Sequence, residues 1–369
     1  MIQLRKFHHI GLLLLLCGIA APALAGDGDT GTIFTMTNAT DGNAILIFNH
    51  HPQQGLVSAG SVASGGNGTG GGLGNQGGVI LSPHHRWLYA VNAGSDSVST
   101  FRVHKGGLTL IDTVASGGSQ PVSLTLHDDL LYVLNAGSDS IAGFTVNQNG
   151  TLSPLNDSVR ALSGSGTAPA QIGFTPWGDA LVVTEKATNQ ITTFAVGEDG
   201  RPGPALVNAS AGATPFGFDF DRYGHLLVSE AAGGAPDASS LTSYEVREDA
   251  TLAVLASSVP TTGTAACWVE MSRNGKYAFT TNAGSSSISA YRSGRDGSLM
   301  LTTEDGVAAS TGPGSAPIDL ALSARGNYLF ALSAANGTVA AFRLIGNRRL
   351  VPMPGVTGLP ETVNGLAAY

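Results

Sequence analysis

Cysteine is nearly absent from this chain. Of two in 369 residues, Cys17 sits in an apolar leader and Cys267 stands alone, so no intrachain disulfide remains once the leader is gone. Charge is scarce as well. Only 12% of residues are Asp, Glu, Lys or Arg, too few to solvate many helical faces, and no helical apolar period recurs. Basic residues number 18 against 26 acidic ones, which argues against a nucleic-acid backbone or an anionic membrane as partner. Past the leader, no apolar run is long enough to span a bilayer. The G-x-S-x-G, H-E-x-x-H, Walker and C-x-x-C patterns are all missing, which turns the reading away from serine-hydrolase elbows, zincins, nucleotide hydrolases and thiol redox.

The leader itself is well formed. Arg5 and Lys6 precede an apolar run from Ile10 to Ala20, and Ala23-Leu24-Ala25 offers the small residues a signal peptidase requires. Residues 1–25 therefore read as a signal peptide cleaved near Ala25, and residues 26–369 as a single periplasmic or secreted domain. That mature chain has 16 basic and 26 acidic residues, a formal charge of −10.

What the chain has in abundance is glycine, 51 residues, and repetition. LYAVNAGSDSVSTF at 88–101 returns as LYVLNAGSDSIAGF at 131–144, and weaker copies begin near 32, 180, 225, 277 and 328. Each copy is an apolar β-rich run, a small polar turn and an alternating run closed by an aromatic. The closing residues Phe48, Phe101, Phe144, Phe194, Tyr244, Tyr291 and Phe342 lie a mean of 49 residues apart. A further short strand precedes each hairpin from the second copy on, and a turn such as SGRDG leads to a fourth strand. Four antiparallel strands at this period predict an all-β, seven-bladed β-propeller. The first unit lacks its innermost strand, and VNGLAAY at 363–369 resembles the missing piece, so the C-terminal strand is expected to close blade 1. The glycine-rich GGNGTGGGLG at 65–74 precedes a strand rather than a helix, and reads as a mobile loop between blades 1 and 2 rather than a phosphate cradle.

The phrase SP-x-x-R followed by LY-x-V-NAGS-x-S resembles the YVTN-type repeat, and the arrangement over residues 30–369 resembles the seven-bladed lactonase-like propellers. That group includes propeller-type 6-phosphogluconolactonases and muconate-cyclising enzymes. The resemblance implies hydrolysis or isomerisation of a small lactone or sugar acid at the mouth of the central channel, with no required cofactor. In active relatives, phrases such as HVHF and GPRH carry His and Arg; here the matching stretches NQGGVIL (75–81) and APAQIGF (168–174) carry neither. TEKATNQITTF places Glu185 at the family's glutamate.

Channel ligands of propellers gather where the B–C turns and D–A connections meet. Strand positions put Glu185 and Glu230 there in adjacent blades, where converging carboxylates would form a general acid/base pair or hold a cation such as Ca²⁺. Gln171, Phe216, Trp268, Asp319 and Asn135 are candidate ligand contacts, with Phe216 and Trp268 a possible apolar wall. The competing readings are turn capping for the glutamates, a turn role for the repeated Asn92, Asn135 and Asn282, and core packing for Cys267 and Trp268. Six histidines (His50, His51, His84, His85, His104 and His127) fall on the opposite face and read as solvated turn residues. The sequence thus leaves two functions open. One is an exported lactone-acting enzyme and the other a non-catalytic propeller that binds an extracytoplasmic protein or glycan, the chain being expected as a monomer in both.

Overall fold

The computed structural model describes residues 30–105 and 107–369; the leader and its cleavage point lie outside the described residues. Seven sheets follow one another around a central axis. The innermost strands, A, are Asn364–Ala368 in blade 1, then Val79–Leu81, Pro121–His127, Pro169–Phe174, Pro215–Phe220, Ala266–Met271 and Pro317–Leu322 in blades 2 to 7. The B strands are Gly31–Met36, Trp87–Asn92, Leu130–Asn135, Ala180–Glu185, Leu226–Glu230, Tyr277–Asn282 and Tyr328–Ser333. The C strands are Ala44–His51, Ser97–His104, Ser140–Val146, Gln190–Ala195, Ser240–Val246, Ser287–Ser293 and Thr338–Ile345. Outer D strands complete each sheet, and in blades 3 and 6 they come as two short pieces, such as Leu152–Pro154 and Arg160–Ala161. Helix is confined, among the described residues, to one 3₁₀ turn at Ala232–Gly234. No helix there is long and apolar enough to cross a membrane.

Blade 1 closes as the repeat count requires. Asn364–Ala368 pairs antiparallel with Gly31–Met36, Ile33 facing Ala368 and Phe34 facing Ala367. The seven closing aromatics are each no more than 4% exposed. Their burial between sheets, with the Val, Leu and Ile of the B strands, supplies the cohesion that disulfides cannot.

The start of strand A is irregular in blades 3 to 7. The residue before it holds a left-handed φ (Gln120 52°, Ala168 47°, Thr214 60°, Ala265 55°, Ala316 47°). A bulge follows within the first residues of the strand. Bulges re-aim the side chains that come after them, and this decides what faces the channel.

Candidate functional site

Each A strand has one edge turned to the channel, with no strand to pair its N–H groups. An unpaired buried N–H is costly, and the neighbouring blade supplies the acceptor. Ser123 Oγ accepts Ile172 N at 3.2 Å, and Thr125 Oγ1 accepts Phe174 N at 3.0 Å. Gln171 Oε1 accepts Phe218 N at 2.7 Å while its Nε2 donates to Phe218 O at 3.0 Å. Asp219 Oδ2 accepts Met271 N at 2.7 Å, Glu270 accepts the N–H of Leu322, and Asp319 Oδ2 accepts Leu366 N at 2.9 Å. The inner ring is thus laced by side chains that look along the channel wall.

All of these side chains but Ser123 line a cavity of about 370 Å³ in the channel, which reaches the A–B turn of blade 6 at Arg273. Asp219, Glu270, Asp319, Gln171, Gln76 and Arg273 contribute its polar groups. Arg273, in the A–B turn of blade 6, reaches blade 7, where its Nη2 donates to Leu322 O at 3.2 Å and its Nε to Ser323 O at 3.3 Å. Burial pushes the Asp219 carboxyl up to about 6, opposed by the N–H groups of Met271 and Phe220 and by Arg273. Burial also pushes Glu270 up to about 8, with repulsion from Asp219 adding and Arg273 opposing. Asp319 is raised well above the ordinary carboxylate range, again by burial. Near neutral pH the cavity therefore holds carboxyl groups of differing proton affinity beside a fixed guanidinium. That combination can move protons at a polar, uncharged ligand.

The structure brings some of the expected residues here and leaves others elsewhere. Gln171 and Asp319 line the cavity. Glu185 and Glu230 do not converge on it, since each carboxylate is locked inside its own blade. Glu185 accepts Ser163 N at 3.1 Å, Thr188 Oγ1 at 2.8 Å, Thr192 Oγ1 at 2.6 Å and the Ser163 hydroxyl. Glu230 accepts Gly212 N at 2.8 Å, Thr242 Oγ1 at 2.5 Å and the Ser240 hydroxyl. Asn92 and Asn282 hold the same place in blades 2 and 6, where they donate to Ser97 and Ser99 and to Ser287 and Ser289. Asn135 donates to Ser116 O at 3.2 Å. All five side chains tie a B–C hairpin to its surroundings. The left-handed residue of those turns is not the glycine of NAGS but the residue before strand C, such as Asp96, Asp139 or Ser286.

Phe216 and Trp268 do stand together at the upper mouth, their rings 5.0 Å apart, but the chain itself covers them. The glycine-rich connection after blade 1 lies across this mouth and makes defined contacts with blades 4 and 6. Lys186 Nζ donates to Gly74 O, and Trp268 Nε1 donates to Asn75 O at 2.5 Å. Gln76 grips Val269, with Nε2 donating to its carbonyl at 2.7 Å and Oε1 accepting its N–H at 3.1 Å. Gly217 permits this, because a Cβ there would lie 2.2 Å from Gln76 Oε1. Cys267 is buried beside this seat and its thiol is raised to about 12 by burial, as fits a packed core residue.

Sequence reasoning missed Asp219, Glu270 and Arg273. Glu270 lies just past the bulge between Ala266 and Val269 that breaks the alternation of its strand. Asp219 lies beyond the bulge that breaks the alternation from Phe216. Arg273 belongs to a turn on the face opposite the expected site. Among the described residues, no three His, Cys, Asp or Glu side chains are grouped so as to hold a metal ion. Of the six histidines expected in solvated turns, His50 is instead buried in strand C of blade 1 against Tyr328, 4.1 Å between ring centroids, and His85 stacks on Tyr369 at 5.2 Å.

Comparison with known proteins agrees with the architecture. The family model for the seven-bladed β-propeller lactonases matches residues 41–167 and 228–320. None of the curated proteins matches significantly. Among solved structures, a putative 6-phosphogluconolactonase of Bacteroides fragilis superposes with a TM-score of 0.71 at 20% identity, over 93% of this chain and 98% of the other. The periplasmic gluconolactonase of Pseudomonas aeruginosa gives 0.73 at 16% identity, over 91% and 98%. At such identities the likeness establishes the fold, while the family model reaches further: the chain belongs to the seven-bladed β-propeller lactonase family.

Proposed function

We propose that this protein is an exported lactonase-type hydrolase that opens a small hydroxylated lactone in the lower channel. The observation that carries the reading is the cavity itself. It has small-molecule size and places Arg273 among buried carboxyls of raised proton affinity. A lactone carbonyl oxygen set against Arg273 would have its developing negative charge neutralised. Asp219, the more acidic partner, takes a proton from water as that water attacks the carbonyl carbon. The ring C–O bond then breaks, and Glu270, protonated at neutral pH, passes its proton to the leaving alkoxide. The product is a hydroxy acid, the charge of the site is unchanged, and passage of the proton from Asp219 to Glu270 restores the starting state. In this scheme Glu185 and Glu230 hold hairpins and take no part in the chemistry.

A second reading, a non-catalytic propeller that binds a protein or glycan, draws support from the covered upper mouth. A panel of five- and six-membered lactones, assayed with and without chelator, separates the two. Turnover should appear and fall at least about 100-fold in Glu270→Gln and Asp219→Asn, both of which keep an acceptor for the neighbouring N–H and so the fold. Absence of turnover on every lactone favours the binding reading, unchanged turnover in both variants removes these carboxyls from the mechanism, and loss with chelator brings in a cation.

A further inference from the structure

We infer that Leu73–Gln76 is a displaceable stopper, and that its seat on blades 4 to 6 is a second ligand site, built for a small hydroxy-carboxylate. The contacts that hold the stopper are those a ligand would make. They are received by two backbone carbonyls, Gly74 O and Asn75 O, and by one primary amide, Gln76, which reads both the N–H and the C=O of Val269. Two more bonds complete the set, one from Gln76 N to Ala170 O at 3.1 Å and one from Asn75 Nδ2 to Val122 O in blade 3.

The seat lacks what its chemistry calls for. Lys186 is largely buried, and burial lowers its ammonium to about 8. Its Nζ meets only carbonyl oxygens, Gly74 O and Pro169 O at 3.3 Å, and the Phe216 ring at 4.8 Å from the centroid. No described residue forms an ion pair with it. A buried cation without an anion is costly to keep, and a carboxylate would satisfy it better than a peptide carbonyl does. In the place of Leu73–Gln76, such a carboxylate would take the Lys186 and Trp268 donors. A neighbouring hydroxyl would both donate to and accept from Val269, and the carbon skeleton would lie on the Phe216 and Trp268 rings.

The segment is also built to leave. No strand forms between Ala63 and Val79. Its outer end is stapled at Asn38, which donates from Nδ2 to Gly71 O at 2.7 Å and accepts Thr69 N at 3.0 Å. The inner end is tied at Gly77 and Gly78, through Leu124 N to Gly77 O at 2.9 Å and Val91 N to Gly78 O at 3.0 Å. Between staple and stopper, Gly71 and Gly72 are exposed and have open space where a side chain would be. The connection can therefore swing out without unpairing a blade.

Amide exchange on the whole mature protein tests this, with gluconate as probe. Gln76 N–H should exchange faster than Leu134 N–H in the interior of blade 3, and gluconate should accelerate it further by competing for the seat. Lys186→Met should abolish that acceleration. Gly71→Ala and Gly72→Ala restrict the released segment, and each should slow basal exchange at Gln76 about two- to five-fold. The inference falls if Gln76 exchanges only as fast as Leu134, or if millimolar gluconate leaves its rate unchanged or slows it. Glu270→Gln should keep the gluconate response while losing lactone turnover, so failure in the lower cavity and failure at the seat are told apart.

Discussion

Glu270 shows how one buried carboxyl can link stability to pH. In the unfolded chain it titrates near 4.5, and in the native channel it holds its proton up to about 8. Between those values the native state binds more protons than the unfolded state, so stability falls as pH rises through the window. Asp219 adds the same sign over a narrower range, up to about 6. The wild-type melting temperature should therefore be lower at pH 8.5 than at pH 5.5. Glu270→Gln, neutral throughout and still able to accept Leu322 N–H, should flatten that dependence. An equally steep slope in the variant would show that this carboxyl does not titrate in the folded channel as described. The residues that do this work were poorly legible from the sequence. Asp319 and Gln171 stand two residues into an A strand and could be placed by counting, whereas Asp219 lies further along its strand past the bulge and Arg273 in a turn. Which carboxyl faces a cavity depends on local backbone irregularities that a period-two reading passes over.

Among the elements, the B–C hairpin is the unit that the repeated motif builds. In blades 2, 4, 5 and 6 the polar residue at the end of strand B binds hydroxyls of the B–C turn or strand C, and the type of group varies with the partners. Asparagine donates to Ser97 and Ser99 in blade 2, while glutamate accepts from Thr188 and Thr192 in blade 4. Glu185→Ala should leave these hydroxyls and Ser163 N–H unpaired in a fully buried site. It should cost about 2–4 kcal/mol of unfolding free energy, measured by urea denaturation, while lactone turnover per folded molecule stays near that of wild type. Lost turnover at unchanged stability would return Glu185 to the chemistry. The hairpins themselves were legible because Asn-x-Gly turns and alternating runs are local signals. The crossing of 64–78 over the mouth was not, because polyglycine carries no pattern and its place is set by distant partners such as Trp268 and Lys186.

At the level of the whole molecule the period of about 49 residues and the unmatched first unit were enough to give seven blades and their closure. Each blade must bury both faces against neighbours, and a ring does this while leaving only the short outer edges of the D strands unpaired. Removing residues 364–369 would strip blade 1 of its inner strand and leave Asp319 Oδ2 without the Leu366 N–H it accepts. The truncated chain should lose the cooperative melting transition or melt at least 10 °C lower, by calorimetry. A melting temperature equal to that of the full chain would show that the closure contributes little.

The bond from Thr35 Oγ1 to Asn364 O spans 329 positions of chain. At about 5–20 residues per second, the ribosome needs roughly 15–65 s to travel that distance. Throughout that interval the first-made hairpin waits, one flank bare, for the last-made strand. A nascent chain built this way cannot seal itself until synthesis is almost over, so its ring closes only as translation ends.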